Sequence, residues 1–457
     1  MRLSGMEIAR ATGGIWHGDM PAGIAGVCTD TRNFQPGDAF LALRGPHFDG
    51  HAFAEAVTDQ ASALIGDGDG VANWHGLDNS KLEVENTLQA LGDIAHAWRM
   101  KLRQTCIMAI SGSYGKTSLR SLLETGFSAL GFKVAATKAN LNNLIGVPQT
   151  LLATPEDADI AIIECGISEP GEMARLAAMV QPDIAVLTGI TAAHSEGLGG
   201  LGGVVREKAL LPAHINIGGW CALGKDVAAL MQANHIALPQ CPVSMNAGNG
   251  SAVEWQLQGC SLSLHNRDEQ AQIELALPAR HWAENYAFAA SIMLRFLQQR
   301  SDKAYRFAEI AASMSGWQPV AGRMQRINAP SGALVLDDCY NANPVSMQAA
   351  IDTLRALPGR KIAVLGDMAE LGEASASAHA GIDIDGIDTV YLIGAQMQTL
   401  ADLQPQARWF AATSDAVAAL QDVRLGAGDT VLVKASRSMR LEAVVELLTA
   451  GELADAL

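Results

Sequence analysis

The sequence predicts an α/β protein of three domains: a small mixed N-terminal domain, a central parallel-sheet domain and a C-terminal doubly wound, Rossmann-like domain. Three observations carry this. The chain has 457 residues, too many for one ordinary domain. Two blocks, beginning near residues 106 and 333, alternate continuous apolar runs with amphipathic helical patterns, as parallel strands covered on both faces do. The alternation fails before about residue 82 and again near Gly316-Trp317-Gln318-Pro319, which places the expected boundaries at 1–82, 83–317 and 318–457.

Taken in order, residues 1–82 hold short apolar pieces broken by glycine, with sustained helical periodicity only at Ala52–Ala63. Thr29-Asp30-Thr31-Arg32, Pro36–Leu43 and Phe48-Asp49-Gly50-His51 read as strands with polar turns, open to a structural or a binding role. Leu88, Leu91, Ile94, Ala95 and Trp98 repeat at helical spacing. Next come the strand Ile107–Ile110, a helix over Ser118–Leu130, strand Lys133–Thr137, helix Val147–Ala153, strand Ile160–Glu164, helix Gly171–Val180 and strand Ile184–Thr188. Gly197–Gly203 is low in complexity and reads as a flexible surface loop. Residues 220–280 read as β-rich and polar, and Arg280-His281-Trp282-Ala283-Glu284-Asn285 opens a long helix. Strands are expected again at Ala333–Leu336, Ile362–Leu365, Thr389–Ile393 and Thr430–Lys434, each followed by a helix.

Composition narrows the function. Hydrophobic residues make up 49% and charged residues 18%, as in a soluble globular enzyme. A net charge of −16 argues against a nucleic-acid backbone as main partner. Seven cysteines without Cys-x-x-Cys pairs indicate neither a zinc site nor a disulfide framework. With no basic region ahead of an apolar run at the N-terminus and no uninterrupted apolar span, a cytoplasmic protein with no membrane partner is expected.

The chemistry centres on Ser111-Gly112-Ser113-Tyr114-Gly115-Lys116-Thr117-Ser118, where an apolar strand stops at glycines and a helix begins. Such a loop turns successive backbone N–H groups on an anion, the helix adds its positive end, and Lys116 adds a point charge. Thr117 offers a hydroxyl to Mg2+. Ile110 stands where the longer pattern has its first glycine, leaving Gly-x-x-Gly-Lys-Thr, and a glycine-rich surface turn is the plain alternative. Glu164 and His194, both after strand ends, suit a metal shell; a solvated strand-end carboxylate is the other reading of Glu164. Arg323 opens the last domain, where it is placed to clamp a transferring phosphoryl group. These residues describe an ATP-dependent enzyme; loss of Lys116, Thr117, Glu164, His194 or Arg323 would have favoured a scaffold without turnover.

The same residues, in the same order, resemble the Mur ligase family. The resemblance rests on Thr29–Arg32 with Gly37-Asp38, Phe48–His51, Gly112–Thr117, Asn140–Pro148, Gly171-Glu172, His194–Gly197, Asp337–Pro344, Gly366–Gly372 and Val433–Met439. The last three are similar to the branch that adds a dipeptide rather than one amino acid. This implies a ligation in which ATP phosphorylates the terminal carboxylate of a UDP-muramoyl tripeptide and the amine of D-alanyl-D-alanine attacks the acyl phosphate. A divergent paralogue joining another carboxylate and amine is the alternative.

The resemblance also implies roles. Gly112, Ser113, Gly115, Lys116, Thr117 and Ser118 would hold the nucleotide with Asn285 on adenine, Asp338 on ribose and Arg323 on the γ-phosphate. Thr117, Glu164, His194 and Lys208 would hold magnesium, Lys208 as a carbamate, because an ammonium would repel the cation. Lys116, His194, Lys208 and Arg323 would be catalytic. Substrate contacts are expected at Thr31, Arg32, Asp49, Gly50, His51, Asn140, Asn143, Asn341 and Asn343, and a monomer is expected. Tyr114, Ala139, Trp282, Ala209-Leu210 and Ala435 depart from the family pattern.

Overall fold

The computed structural model describes residues 2–45, 48–191, 195–237, 240–245, 253–267 and 269–450. The fold is three-domain α/β, and the chain separates into two compact units. One comprises Met1–Ser111, Gly131–Leu187 and Glu207–Ala222; the other comprises Gly112–Leu130, Thr188–Arg206 and Leu223–Leu457.

In the first unit an N-terminal sheet runs Ile15–His17, Lys81–Val84, Ala63–Asp67, Ala39–Leu41, Val27–Cys28. The first pair is antiparallel and the others parallel. Phe40 and Leu64 pack with Ala54, Val57, Val71 and Trp74. The periodicity expected as a helix over Ala52–Ala63 is instead a 3-10 turn, Gly50–Val57, and Ala63 already opens a strand. Asp49 caps this turn by accepting the His51 N–H, a short-range bond that favours the tighter winding.

The same unit contains a second sheet, with Trp220–Leu223, Ile184–Leu187, Cys106–Ser111, Ile160–Glu164 and Val134–Ala136 as neighbours in that order. Ile160–Glu164 and Ile184–Leu187 lie parallel to Cys106–Ser111 on either side, Glu164 opposite Ile110. All three strands are buried along their length, as continuous apolar runs require. The helix Thr87–Arg99, capped by Asn86, is fixed there: Trp98 Nε1 donates to the Thr154 carbonyl at 3.1 Å and Arg99 Nε to the Val180 carbonyl at 2.9 Å.

In the second unit the helix Lys116–Ala129 packs on the helix Arg280–Arg300, with Phe127 edge-on to Phe296 at 4.9 Å. Gly126 permits this approach, since a Cβ there would come within 2.7 Å of Met293 Sδ. Trp317, in the expected linker, is buried and donates from Nε1 to Ser121 Oγ at 3.1 Å, so this segment is pinned. The stretch expected as a flexible loop at Gly197–Gly203 is helical, Ser195–Leu198 and then Gly200–Ala213, with a break at Gly199 and Gly200 (φ 73° and 81°). Gly199 and Gly200 supply the positive φ of the break, and Gly203 serves close packing: a Cβ there would lie 1.6 Å from the Leu198 carbonyl oxygen. The expected β-rich stretch holds the antiparallel sheet Glu254–Gln258, Ser261–Asn266, Glu269–Glu274. The polar reading fails at Trp220–Leu223, which is buried throughout.

The last sheet, in this unit, runs Gln325–Asn328, Leu334–Asp338, Asp429–Lys434, Arg360–Gly366, Thr389–Ile393, Arg408–Phe410. All neighbours are parallel except the first pair. Its core joins Val335, Ile362, Val364, Ile393, Val431 and Val433 to Ala416, Leu420 and Val444 from the helices. Loops at the carboxyl ends of these strands therefore converge, as the doubly wound arrangement dictates.

Candidate active site

The glycine loop follows the strand Cys106–Ser111 directly, and the helix starts at Lys116 with Gly115 as a cap that makes no side-chain bond. The first N–H groups of this helix therefore lack a side-chain acceptor from the cap, the arrangement that suits an anion. Gly112 and Gly115 take φ values of 149° and 78°, open to glycine at little cost. Ser113 and Thr117 are buried, and Lys116 Nζ donates to the Gly112 carbonyl at 2.7 Å. Ser118 lies partly buried in the first helical turn.

The segment after Leu187 braces this loop, and the sequence reading gave Thr188 and Gly189 no role in it. Ser113 N–H donates to the Gly189 carbonyl at 2.6 Å, Thr191 N–H donates to Ser113 Oγ at 3.1 Å, and the Thr188 hydroxyl donates to the Tyr114 carbonyl. The Tyr114 ring lies over Gly189, where a Cβ would come within 2.3 Å of it. Burial, with Glu284 and Asp226 nearby, pushes the Tyr114 phenol up. Asn285 closes on the loop too: its Oδ1 lies 3.5 Å from where a Gly115 Cβ would stand. Trp282 stands edge-on to Trp317 at 5.2 Å.

In the last sheet, Arg323 lies with its guanidinium carbon 4.4 Å from the centre of the Tyr340 ring, and Arg437 approaches the same ring at 5.7 Å. Gly322 (φ 70°) makes the turn and accepts the Tyr340 N–H. The expected ribose ligand Asp338 is buried, accepts from Lys434 Nζ at 2.6 Å and from Met324 N–H at 3.0 Å. Both oxygens thus already have partners, though a carboxylate has lone pairs for more. Asn341 accepts the Ala342 N–H, and its carbonyl accepts Lys434. Asn343 is the buried cap of the helix Pro344–Arg355, accepting the Ser346 N–H at 2.9 Å. Tyr340 and Lys434 lie within the stretches Asp337–Pro344 and Val433–Met439 that carry the resemblance, but their pairing with Arg323 and Asp338 is set by the fold and not by the motifs.

In the first unit Glu164 is buried at a strand end, its N–H given to Thr137 Oγ1 at 2.9 Å. Burial overturns the solvated-carboxylate reading. Lys208 is 1% exposed in the helix Gly200–Ala213, so it is no surface lysine. His194 lies outside the described residues. Asn143 Oδ1 accepts the Ile145 and Gly146 N–H groups, and Asn140 is exposed. Thr31 and Arg32 form a 3-10 turn capped by Asp30, which also pairs with the exposed Arg32 guanidinium at 2.6 Å. Gln149 Nε2 donates to Thr29 Oγ1 at 2.8 Å, tying the turn region to the helix Gly146–Ala153. Asp49 accepts from His51 Nδ1 and pairs with Arg44, while His51 Nε2 accepts the Asp67 N–H. His51 is therefore a buried scaffold for Asp49, held against Gly66 and Gly70. Gly50 sits where a Cβ would meet the Leu43 carbonyl at 2.6 Å. Among the described residues no helix is long and apolar enough to cross a membrane.

Comparison with known proteins places these features in one family. The Mur ligase family catalytic domain matches residues 23–99, the Mur ligase middle domain 110–293 and the Mur ligase glutamate ligase domain 322–437. The chain is 32% identical over 437 residues to the UDP-N-acetylmuramoyl-tripeptide--D-alanyl-D-alanine ligase of Escherichia coli, covering 92% of this chain and 93% of that one. It is 31% identical over 449 residues to the enzyme of the same name from Bacillus subtilis, covering 94% of each. A crystal structure of MurF from Acinetobacter baumannii superposes with a TM-score of 0.85 at 27% identity, over 98% of this chain and 99% of that one. A phosphate-type loop at the head of the middle domain, three domain matches in order and relatives alike along nearly their full length lead to one conclusion: this chain belongs to the Mur ligase family.

Proposed function

We propose that this chain is the ATP-dependent ligase that joins D-alanyl-D-alanine to a UDP-N-acetylmuramoyl tripeptide, a cytoplasmic step in building peptidoglycan precursors. The observation that carries the reading is the loop Gly112–Thr117, whose glycines, uncapped helix start and inward Lys116 form a phosphate cradle in a chain alike along nearly its full length to ligases of that name.

A carboxylate resists amines until one oxygen becomes a good leaving group. Transfer of the γ-phosphoryl group of ATP to the terminal carboxylate of the peptide makes that group, and attack by the dipeptide amine then forms the amide and releases phosphate. The chain contributes charge and position. Lys116 leaves the Gly112 carbonyl for the phosphates, and the loop amides meet charge that grows on the transferring oxygens. Arg323, held over Tyr340, is proposed to clamp the γ-phosphate with its planar fork. Asn285 is proposed for adenine and Asp338 for ribose.

The donors fit magnesium. Thr117 offers a buried hydroxyl at the helix start, and Glu164 a buried carboxylate in register with the strand that leads into the loop. His194 and a carbamate on Lys208 are proposed to complete the ligands. Magnesium, when bound, neutralises charge on the phosphate oxygens. Loss of a proton from the Lys208 ammonium, then addition of carbon dioxide to the amine with loss of a second proton, would put an anionic oxygen donor at this buried position.

Thr31, Arg32 and Asp49–His51 are proposed to receive the UDP end, with Asn140, Asn143, Asn341 and Asn343 shaping the peptide and dipeptide sites. A monomer is proposed. The test is phosphate release from ATP with the UDP-muramoyl tripeptide. Release that needs D-alanyl-D-alanine supports the reading; release driven equally well by a single amino acid would overturn the dipeptide assignment.

A further inference from the structure

The two peptide planes that shape the glycine loop are held by one short segment, Thr188-Gly189. In a trans peptide the C=O and N–H point in opposite directions, so holding one fixes the other. The Gly112–Ser113 peptide has its N–H on the Gly189 carbonyl at 2.6 Å and its own carbonyl on Lys116 Nζ at 2.7 Å. That N–H is therefore already taken and unavailable to a phosphate. The Tyr114–Gly115 peptide is held the other way round: the Thr188 hydroxyl donates to its carbonyl. Its N–H, on Gly115, must then face away from Thr188.

Thr188 Oγ1 reaches that carbonyl only because Gly112 lacks a Cβ, which would stand 2.0 Å from it. Gly189 likewise leaves room for the Tyr114 ring, which a Cβ would meet at 2.3 Å. The brace and the loop are thus shaped to each other at two glycines, one on each side.

We propose that Thr188 is a positioning residue for nucleotide binding: its hydroxyl holds the Tyr114 carbonyl and thereby turns the Gly115 N–H toward the phosphates. Losing the hydroxyl frees this peptide to rotate and present its carbonyl, an electronegative group, to an anion. The inference rests on the proposal that the loop binds a nucleotide.

The test titrates the purified full-length protein with ADP and with ATP and magnesium, and measures KM and kcat for ATP and for the UDP-peptide. Thr188→Val is expected to weaken nucleotide binding by about tenfold or more, with KM for the UDP-peptide within about twofold of wild type. Thr188→Ser, which keeps the hydroxyl, is expected to stay within about threefold of wild type on both. Should the valine methyl disturb folding, as seen in thermal unfolding without nucleotide, Thr188→Ala removes the same hydroxyl with less bulk and carries the same expectation. Hydroxyl-free variants that bind nucleotide like wild type, or a serine variant as weak as the alanine, would overturn the role of Thr188. Lys116→Ala separates the two claims: if it too binds nucleotide like wild type, the loop reading itself fails, whereas weakened binding there with unchanged binding in the Thr188 variants removes only this inference.

Discussion

Lys116 Nζ stands 2.7 Å from the carbonyl oxygen of Gly112, four residues back along the same loop. In the proposed function this ammonium turns from the carbonyl to the phosphates of the nucleotide. Lys116→Ala is therefore expected to lower turnover by about three orders of magnitude or more while the fold stays intact. Steady-state phosphate release and far-ultraviolet circular dichroism check this. Turnover within about tenfold of wild type would remove the loop from the mechanism.

Arg323 holds its guanidinium carbon 4.4 Å from the centre of the Tyr340 ring, and a lysine there would keep the charge but lose the planar fork. Arg323→Lys is expected to cut kcat by about tenfold to a hundredfold and to change the affinity for ATP by less. Tyr340→Leu should give a milder version of the same defect. Unchanged kcat with weakened ATP binding would assign Arg323 to the ground state instead.

Lys208 is almost wholly buried, and a carbamate on it is the magnesium ligand proposed above. Lys208→Ala is expected to lose most activity, and formate or acetate in the buffer to restore part of it by supplying anionic oxygens. An intact-mass or carbon-13 measurement with labelled bicarbonate should detect the carbamate. Wild-type turnover by the alanine variant would end this assignment.

His281, at the start of the helix Arg280–Arg300, has a buried Nδ1 with no hydrogen-bond partner among the described residues. Burial, and then the nearby Lys434, push its imidazole down from 6.5 to about 4. Between those values the unfolded chain binds a proton that the folded chain refuses. Stability should therefore fall as pH drops from about 6.5 to about 4, by roughly 2–3 kcal/mol from this group. Urea unfolding of His281→Asn and the parent at pH 7 and pH 4.5 checks this: the variant should lose less over that interval.

Much of the protein is legible in local patterns. Continuous apolar runs such as Ile160–Glu164 leave little choice but a buried parallel strand, and glycines followed by Lys116 and Thr117 leave little choice but a turn into a helix. Where glycine was read as looseness, around Gly197–Gly203, the same residue turned out to admit a close helix contact; composition does not distinguish the two uses. The helical reading of Ala52–Ala63 failed because apolar spacing alone does not separate a 3-10 turn from an α-helix.

By itself, then, the sequence determined the class of fold, the glycine turn from strand into helix and the order of motifs, because these depend on residues close together in the chain. What the tertiary structure alone decided is which distant groups complete them. Thr188 bracing Tyr114, Arg323 resting on Tyr340 and Lys434 pairing with Asp338 at 2.6 Å join residues that only sheet register and helix packing bring together. The burial of the His51 imidazole was decided in the same way: Trp74, Gly66 and Gly70 close around it only once the N-terminal sheet has formed. A side chain's neighbours across space follow from how the whole chain excludes water, and no local pattern encodes them.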